Sequence, residues 1–101
     1  MAFKIVFGER FRDDFDDILN YLNKFSNQTA QKYRELINKR IRKLKQPPFG
    51  ASYVHDDKLR KEGYRWLYIK NYILFFIVYE EDKIVSIERI MHSKRAYEFI
   101  L

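Results

Sequence analysis

The chain has 101 residues, the length of one domain, with 47% apolar and 18% aromatic residues, too rich in both for a disordered segment. It holds no cysteine, which excludes disulfides, thiolate metal sites and a thiol nucleophile. The formal net charge is +6 and is unevenly spread. Lys32, Arg34, Lys39, Arg40, Arg42, Lys43 and Lys45 stand against Glu35 alone, whereas Glu9, Asp13, Asp14, Asp16 and Asp17 outweigh Arg10 and Arg12. A basic surface of this kind favours nucleic acid or an acidic protein as partner. The stretch from Met1 to Gly8 has no apolar segment of signal-peptide length. The longest apolar run, Tyr72 to Tyr79, falls well short of the roughly twenty residues that cross a membrane. A single domain over 1–101, a cytoplasmic location, no membrane and no cofactor or metal are therefore expected.

The first predicted element is a short strand, Phe3 to Phe7, with Phe3, Ile5 and Phe7 on one face and Lys4 and Val6 on the other. Gly8 ends it. A helix follows from about Arg10 to Lys24, with Phe11, Phe15, Ile18, Leu19 and Leu22 on one stripe. Its early acidic residues suit the positive end of a helix dipole. Ser26 reads as the N-cap of a second helix, Asn27 to Lys45, which buries Ala30, Tyr33, Ile37, Ile41 and Leu44. The short link between them predicts an antiparallel hairpin. Pro47-Pro48 stops the second helix and Phe49-Gly50 continues the turn. Ala51 to Leu59 predicts a loop or a short edge strand.

Three strands then follow: Tyr64 to Ile69, Tyr72 to Tyr79 and Lys83 to Met91. Lys70-Asn71 fits a tight turn with Asn71 tolerating positive φ, and Glu80-Glu81-Asp82 fits the next. Connections this short make an antiparallel meander. The middle strand is apolar on both faces, which places it centrally. Ser93 is expected to cap a last helix, Lys94 to Ile100, with Tyr97, Ile100 and Leu101 tying the tail down. The class is α+β with the helices on one side: an N-terminal strand, an antiparallel helical hairpin, a three- to four-stranded antiparallel meander and a short C-terminal helix.

Period two sorts the strands into faces. Tyr64, Trp66 and Tyr68 oppose Arg65, Leu67 and Ile69. Without a bulge, Ile84, Ser86, Glu88, Ile90 and His92 oppose Val85, Ile87, Arg89 and Met91. The densest polar cluster is Glu88, Arg89, His92, Lys94, Arg95 and Tyr97. Histidine transfers protons near neutrality, arginine grips and neutralises a phosphate, and tyrosine stacks on bases. Such a set can cleave RNA without metal, using the 2′-hydroxyl as nucleophile; it equally describes a solvated basic terminus. His55 beside Asp56 and Asp57 reads as a solvated loop, because a metal needs convergent ligands and the other histidine is His92. Glu88 reads as a structural ion-pair partner of Arg89 or Arg95. Arg65 either snorkels past its apolar neighbours or lies in a surface cleft. Lys58, Arg60 and Lys61 either solubilise a loop or hold a nucleic-acid backbone. Gly8, Gly50 and Gly63 are too scattered for a phosphate loop.

The series from Tyr64 to Tyr79, followed by Ile84-Val85-Ser86-Ile87-Glu88-Arg89-Ile90-Met91-His92-Ser93-Lys94-Arg95-Ala96-Tyr97, resembles the RelE/ParE toxins of bacterial type II toxin–antitoxin modules. The helical hairpin ending in Pro47-Pro48-Phe49-Gly50 matches the family's order too. The resemblance implies a toxin silenced by a cognate antitoxin that wraps an extended or helical segment around it. One branch of the family cleaves mRNA on the ribosome; the other poisons DNA gyrase. For the first branch the resemblance implies His92, Arg65, Arg89, Arg95 and Tyr97 as catalytic residues, and from their charge Lys58, Arg60, Lys61 and Lys94 are expected to contact the nucleic acid. The expected function is thus a metal-independent, ribosome-dependent mRNA endoribonuclease whose partners are an antitoxin, the ribosome and mRNA. A ParE-like inhibitor of DNA gyrase is the alternative, and an inactive antitoxin-binding member a second. The likeness to the RNA-cleaving branch lapses at Ile73 and Leu67, where its members carry basic residues.

Overall fold

The computed structural model describes residues 2–47, 49, 52–53 and 57–100, with the backbone alone at 52, 53, 57 and 97–100. The elements run β1 (Lys4–Phe7), α1 (Glu9–Asn23), α2 (Asn27–Arg42), a 3₁₀ turn (Lys43–Lys45), β2 (Ser52–Tyr53), α3 (Asp57–Lys61), β3 (Tyr64–Ile69), β4 (Tyr72–Tyr79), β5 (Ile84–His92) and α4 (Ser93–Ile100). This is the expected α+β order. It differs in one added helix, α3, where the irregular pattern predicted a loop, and in the tightening of the second helix into a 3₁₀ turn three residues early. Gly63 is the local reason for the end of α3: it adopts φ +88° and donates its N–H to the Arg60 carbonyl at 2.9 Å, a left-handed stop that glycine takes without strain. Pro48, Gly50, Ala51, Val54, His55, Asp56 and Leu101 lie outside the described residues.

The sheet has five strands in the order β1-β5-β4-β3-β2. β3, β4 and β5 form the antiparallel meander, and β2 adds antiparallel to β3 as a two-residue edge. β1 lies parallel to β5, with Lys4 opposite Ile84 and Phe7 opposite Ile87. β4 is central, and its residues from Tyr72 to Ile77 are all buried, as its two-sided apolar pattern requires.

The faces divide the core in two. Tyr72, Leu74 and Phe76 of β4 pack under the α1–α2 hairpin with Phe11, Ile37, Ile41 and Leu44, while Ile73 and Phe75 pack on the opposite face with Met91, Trp66, Leu59 of α3 and Ala96 of α4. The helices therefore cover both faces, with only the hairpin on the first. Ser26 caps α2 as expected, its Oγ accepting the Thr29 N–H at 3.3 Å. In the β3–β4 turn the positive φ falls on Lys70 (54°), not on Asn71.

The passage from β1 into α1 depends on Gly8. Its N–H donates to the Ile87 carbonyl at 2.9 Å, and a Cβ there would meet that same carbonyl oxygen at 3.2 Å. A backbone atom cannot swing aside as a side chain does. Gly8→Ala should therefore lower unfolding stability by about 1–3 kcal/mol, the range for forced overpacking, measured by urea denaturation of the purified protein.

Candidate functional site

The expected alternation of β5 is broken by a bulge. Phe76 pairs with Ile87 and Phe75 with Arg89, which leaves Glu88 as the extra residue. The phase of the strand flips there. Val85 and Ile87 face the hairpin before it, Ile90 does so after it, and Met91 packs on the opposite face. The unbroken face division predicted for this strand is corrected accordingly. His92, opposite Tyr72, ends the strand on the hairpin side.

Arg89 is held by Asp14 of α1. Its Nε donates to Oδ2 at 2.7 Å and its Nη2 to Oδ1 at 3.0 Å, while the Ile90 N–H donates to Oδ2 at 3.1 Å. The two side chains are only 17% and 12% exposed, so the pair is largely desolvated. Bonding to Asp14 holds the guanidinium still more firmly protonated than usual. The ion pair expected of Arg89 thus exists, with Asp14 rather than Glu88; Glu88 instead accepts a hydrogen bond from the Ser86 hydroxyl. Asp14 was legible only as one of five early acids, with nothing in the pattern to single it out.

His92 is exposed. Its ring lies edge-on to Tyr72 at 5.8 Å, and its Nδ1 accepts the Lys94 N–H at 3.2 Å. It therefore caps α4, the task expected of Ser93, and this bond assigns the ring proton to Nε2. Together with Asp14, Asp17, Ile18, Tyr21, Tyr72, Ile90, Met91 and Arg95 it lines a cleft of about 320 Å³. His92 and Arg95 are thus brought together, beside two carboxylates. Asp17, Tyr21 and Tyr72 are members of this cleft that the sequence pattern did not single out, since each reads as an ordinary helix or strand residue.

Arg65 lies elsewhere. It pairs across the sheet with Phe76, four residues from the row in which Tyr72 faces His92, and β4 lies between its strand and β5. That spacing is about 13 Å along the strands and about 10 Å across them. Its guanidinium carbon sits 5.4 Å from the centre of the Phe49 ring, a cation–π placement. Lys58, Arg60 and Lys61 belong to α3, whose Leu59 packs on the sheet face opposite the hairpin. Lys94 is exposed on α4. Tyr97 lies on α4, its side chain outside the description. Ile73 is fully buried and Leu67 nearly so, both packed as apolar core residues.

Among the described residues no group of three or more His, Asp or Glu side chains is placed to hold a metal ion, and no helix is long and apolar enough to cross a membrane.

Two predictions follow from this geometry. Asp14→Ala strands a largely buried guanidinium and an Ile90 N–H; it should cost about 2–4 kcal/mol of unfolding stability, within the range for breaking a buried pair after a discount for its residual exposure. Tyr72 is buried beside Tyr33 and Tyr21, and burial is the main cause that raises its pKa above the usual tyrosine value. The folded state thus keeps a proton that the unfolded state releases at about pH 10, so this contribution is complete below that pH and is lost as pH rises through the folded value. Stability measured from pH 9 to 11 should fall with pH, and less steeply in Tyr72→Phe.

Comparison with known proteins bears on the whole chain. The family described as ParE toxin of type II toxin–antitoxin system, parDE, matches residues 5–97. A chain of the chromosomal ParDE toxin–antitoxin system from P. aeruginosa is similar in structure, with TM-score 0.69, 22% identity, and coverage of 90% of this chain and 96% of that one. A chain of the RelBE2 toxin–antitoxin complex from Mycobacterium tuberculosis gives TM-score 0.58 at 16% identity, covering 91% of this chain and 99% of that one. A conserved hypothetical protein of Helicobacter pylori, solved in solution, gives 0.54 at 21% identity, covering 91% and 96%. At these identities the likeness speaks for the fold. No curated protein sequence matches the chain.

Proposed function

The chain belongs to the ParE toxin family of type II toxin–antitoxin systems, and on that premise we propose that it is a toxin held silent by a cognate antitoxin and that it acts by binding DNA gyrase rather than by cutting RNA. The observation that carries this choice is the dispersal of the cations. Cleavage by 2′-hydroxyl attack needs a proton acceptor and positive charge within hydrogen-bond reach of one phosphate. Arg65 and His92 are separated by four residues along the sheet and, with β4 between their strands, by two strand spacings across it. Arg89 is spent on Asp14, and a phosphate entering beside His92 and Arg95 would also meet Asp14 and Asp17. A protein-binding surface makes no such demand. It needs distributed charge and a few anchoring side chains, which steer and orient a macromolecular partner. In this reading His92, Lys94, Arg95 and Tyr97 are contact residues on and beside α4, and Lys58, Arg60 and Lys61 form a second basic patch on α3.

Brief expression in bacterial cells tests the choice, with mapping of both mRNA 5′ ends and gyrase-linked DNA breaks. The expected result is DNA breaks with transcripts intact, and toxicity retained within about threefold in His92→Ala, because a surface contact at the edge of an interface is worth little. New ribosome-dependent RNA ends that disappear in His92→Ala would overturn the gyrase reading. Neither kind of break, with antitoxin binding retained, would mark an inactive member.

A further inference from the structure

The second helix carries positive charge along a line. At 3.6 residues per turn, Lys32, Lys39 and Lys43 fall within about 20° of a common line on its surface, opposite the buried Ile41. All three are exposed, as is Arg42 beside them. The line is about 16 Å long, and Lys39 and Lys43 stand about 6 Å apart along the axis. No ion pair holds any of these cations among the described residues. Like charges one turn apart repel, and Glu35, between Lys32 and Lys39, offsets a single charge. The negative end of the helix dipole amounts to about half a charge. The positive charge on α2 therefore exceeds what its own helix balances.

The composition of the face selects its partner. Every exposed residue from Asn27 to Gln46 is Asn, Gln, Glu, Lys or Arg. The exposed large apolar side chains, Phe7, Tyr21, Phe25, Tyr68 and Tyr79, all lie on other segments. A protein interface draws its energy from a few buried aromatic or aliphatic anchors near its centre, and a single nucleic-acid strand is held by aromatic platforms under its bases. This face offers neither. A duplex needs only cations and hydrogen-bond donors along its phosphates. It presents about one charge per 1.7 Å of axis, so each cation on the line finds a phosphate whatever the register. The exposed acids Glu9, Asp13, Asp16 and Asp17 of α1 turn the neighbouring helix away from the same polyanion and so orient the encounter.

We infer that the exposed face of α2 is a contact surface for the phosphate backbone of duplex DNA, held by Lys32, Lys39, Arg42 and Lys43. The phosphate contact stands on this face alone. The choice of DNA over a duplex of RNA rests on the gyrase reading, since a gyrase inhibitor works beside the DNA that gyrase holds.

The test uses the purified full chain without gyrase. A labelled DNA duplex of about twenty base pairs is titrated at several salt concentrations and followed by fluorescence anisotropy. The logarithm of the affinity should fall against that of the salt with a slope of about −3, the value for three to four phosphates. Lys39→Glu with Lys43→Glu should weaken binding roughly tenfold or more and reduce the slope by about 2. Lys58→Glu with Lys61→Glu on α3 changes the net charge equally and should cost less than about threefold, because those cations lie off the contact. Glu35→Gln should tighten binding about twofold. Lys39→Gln with Lys43→Gln leaves no new charge on α2 and should still weaken binding roughly fivefold. In the unaltered protein, amide shifts on adding the duplex should cluster around Lys32, Lys39 and Lys43. Equal losses from the α2 and α3 pairs would overturn the inference. So would tighter binding of the same sequence as an RNA duplex or a single strand, or displacement of the DNA by a short poly-glutamate peptide at equal charge concentration. None of these measurements involves gyrase, whereas the gyrase reading is judged by DNA breaks in cells, so each can fail while the other holds.

Discussion

β1 runs out at Phe7, opposite Ile87, while β5 continues to His92. Beyond that point the outer edge of β5 has no strand beside it, and the carboxylate of Asp14 stands in as its partner. One oxygen takes both the Ile90 N–H and the Arg89 Nε, and the other takes Nη2. Each hydrogen bond to a charged group is worth about 1.5–3 kcal/mol when the geometry is good, and the pair lies where little water competes. The clamp therefore seats the second turn of α1 on the sheet, with Phe11, Phe15 and Ile18 of the same helix packed on the core beside it. The same contact spends the charge of Arg89, so a residue that looks available for a phosphate is already committed to the fold.

The bulge at Glu88 makes that arrangement possible. Two residues of β5 oppose one of β4 there, and the strand resumes with Ile90 under the hairpin and Met91 on the far face. In an unbroken strand Val85, Ile87, Arg89 and Met91 would share a face, and an arginine would enter the packed layer beneath α1. The extra residue moves Ile90 into that layer and brings Arg89 within reach of Asp14 at its border. It also delivers His92 to the side of Tyr72, away from the face that carries α3 and its three cations.

What the sequence revealed, and what it hid, follows from the range of the forces involved. The hairpin was legible because Phe11, Leu19, Ile37 and Ile41 recur at helical spacing, and β4 because its six consecutive buried residues admit only a central position. The cap at Ser26 was legible because its geometry is local. The bulge was not, since nothing in Ser86-Ile87-Glu88-Arg89-Ile90 marks one residue as extra; register is decided across strands. The pairing of Asp14 with Arg89 spans 75 residues of chain, and any of the neighbouring acids fits the sequence equally well. The capping of α4 by His92 instead of Ser93 turns on a ring orientation fixed by Tyr72, and α3 is a helix of five residues, too short to show a period. Candidate site residues could therefore be chosen by type alone, while whether they converge was a matter of register and remained hidden.

That distinction bears on what the surplus of positive charge can do. Catalysis of phosphate cleavage depends on placement to within a fraction of an ångström, because the stabilised charge is localised and the donors must already face it. Binding of a protein depends on the sign and spread of the field, which survives displacements of several ångströms at physiological salt. This fold distributes its cations over α2, over α3, over α4 and beside Phe49, and ties Arg89 to a carboxylate. An arrangement of that kind is poor at focusing charge on a single atom and well suited to meeting broad, acidic protein surfaces.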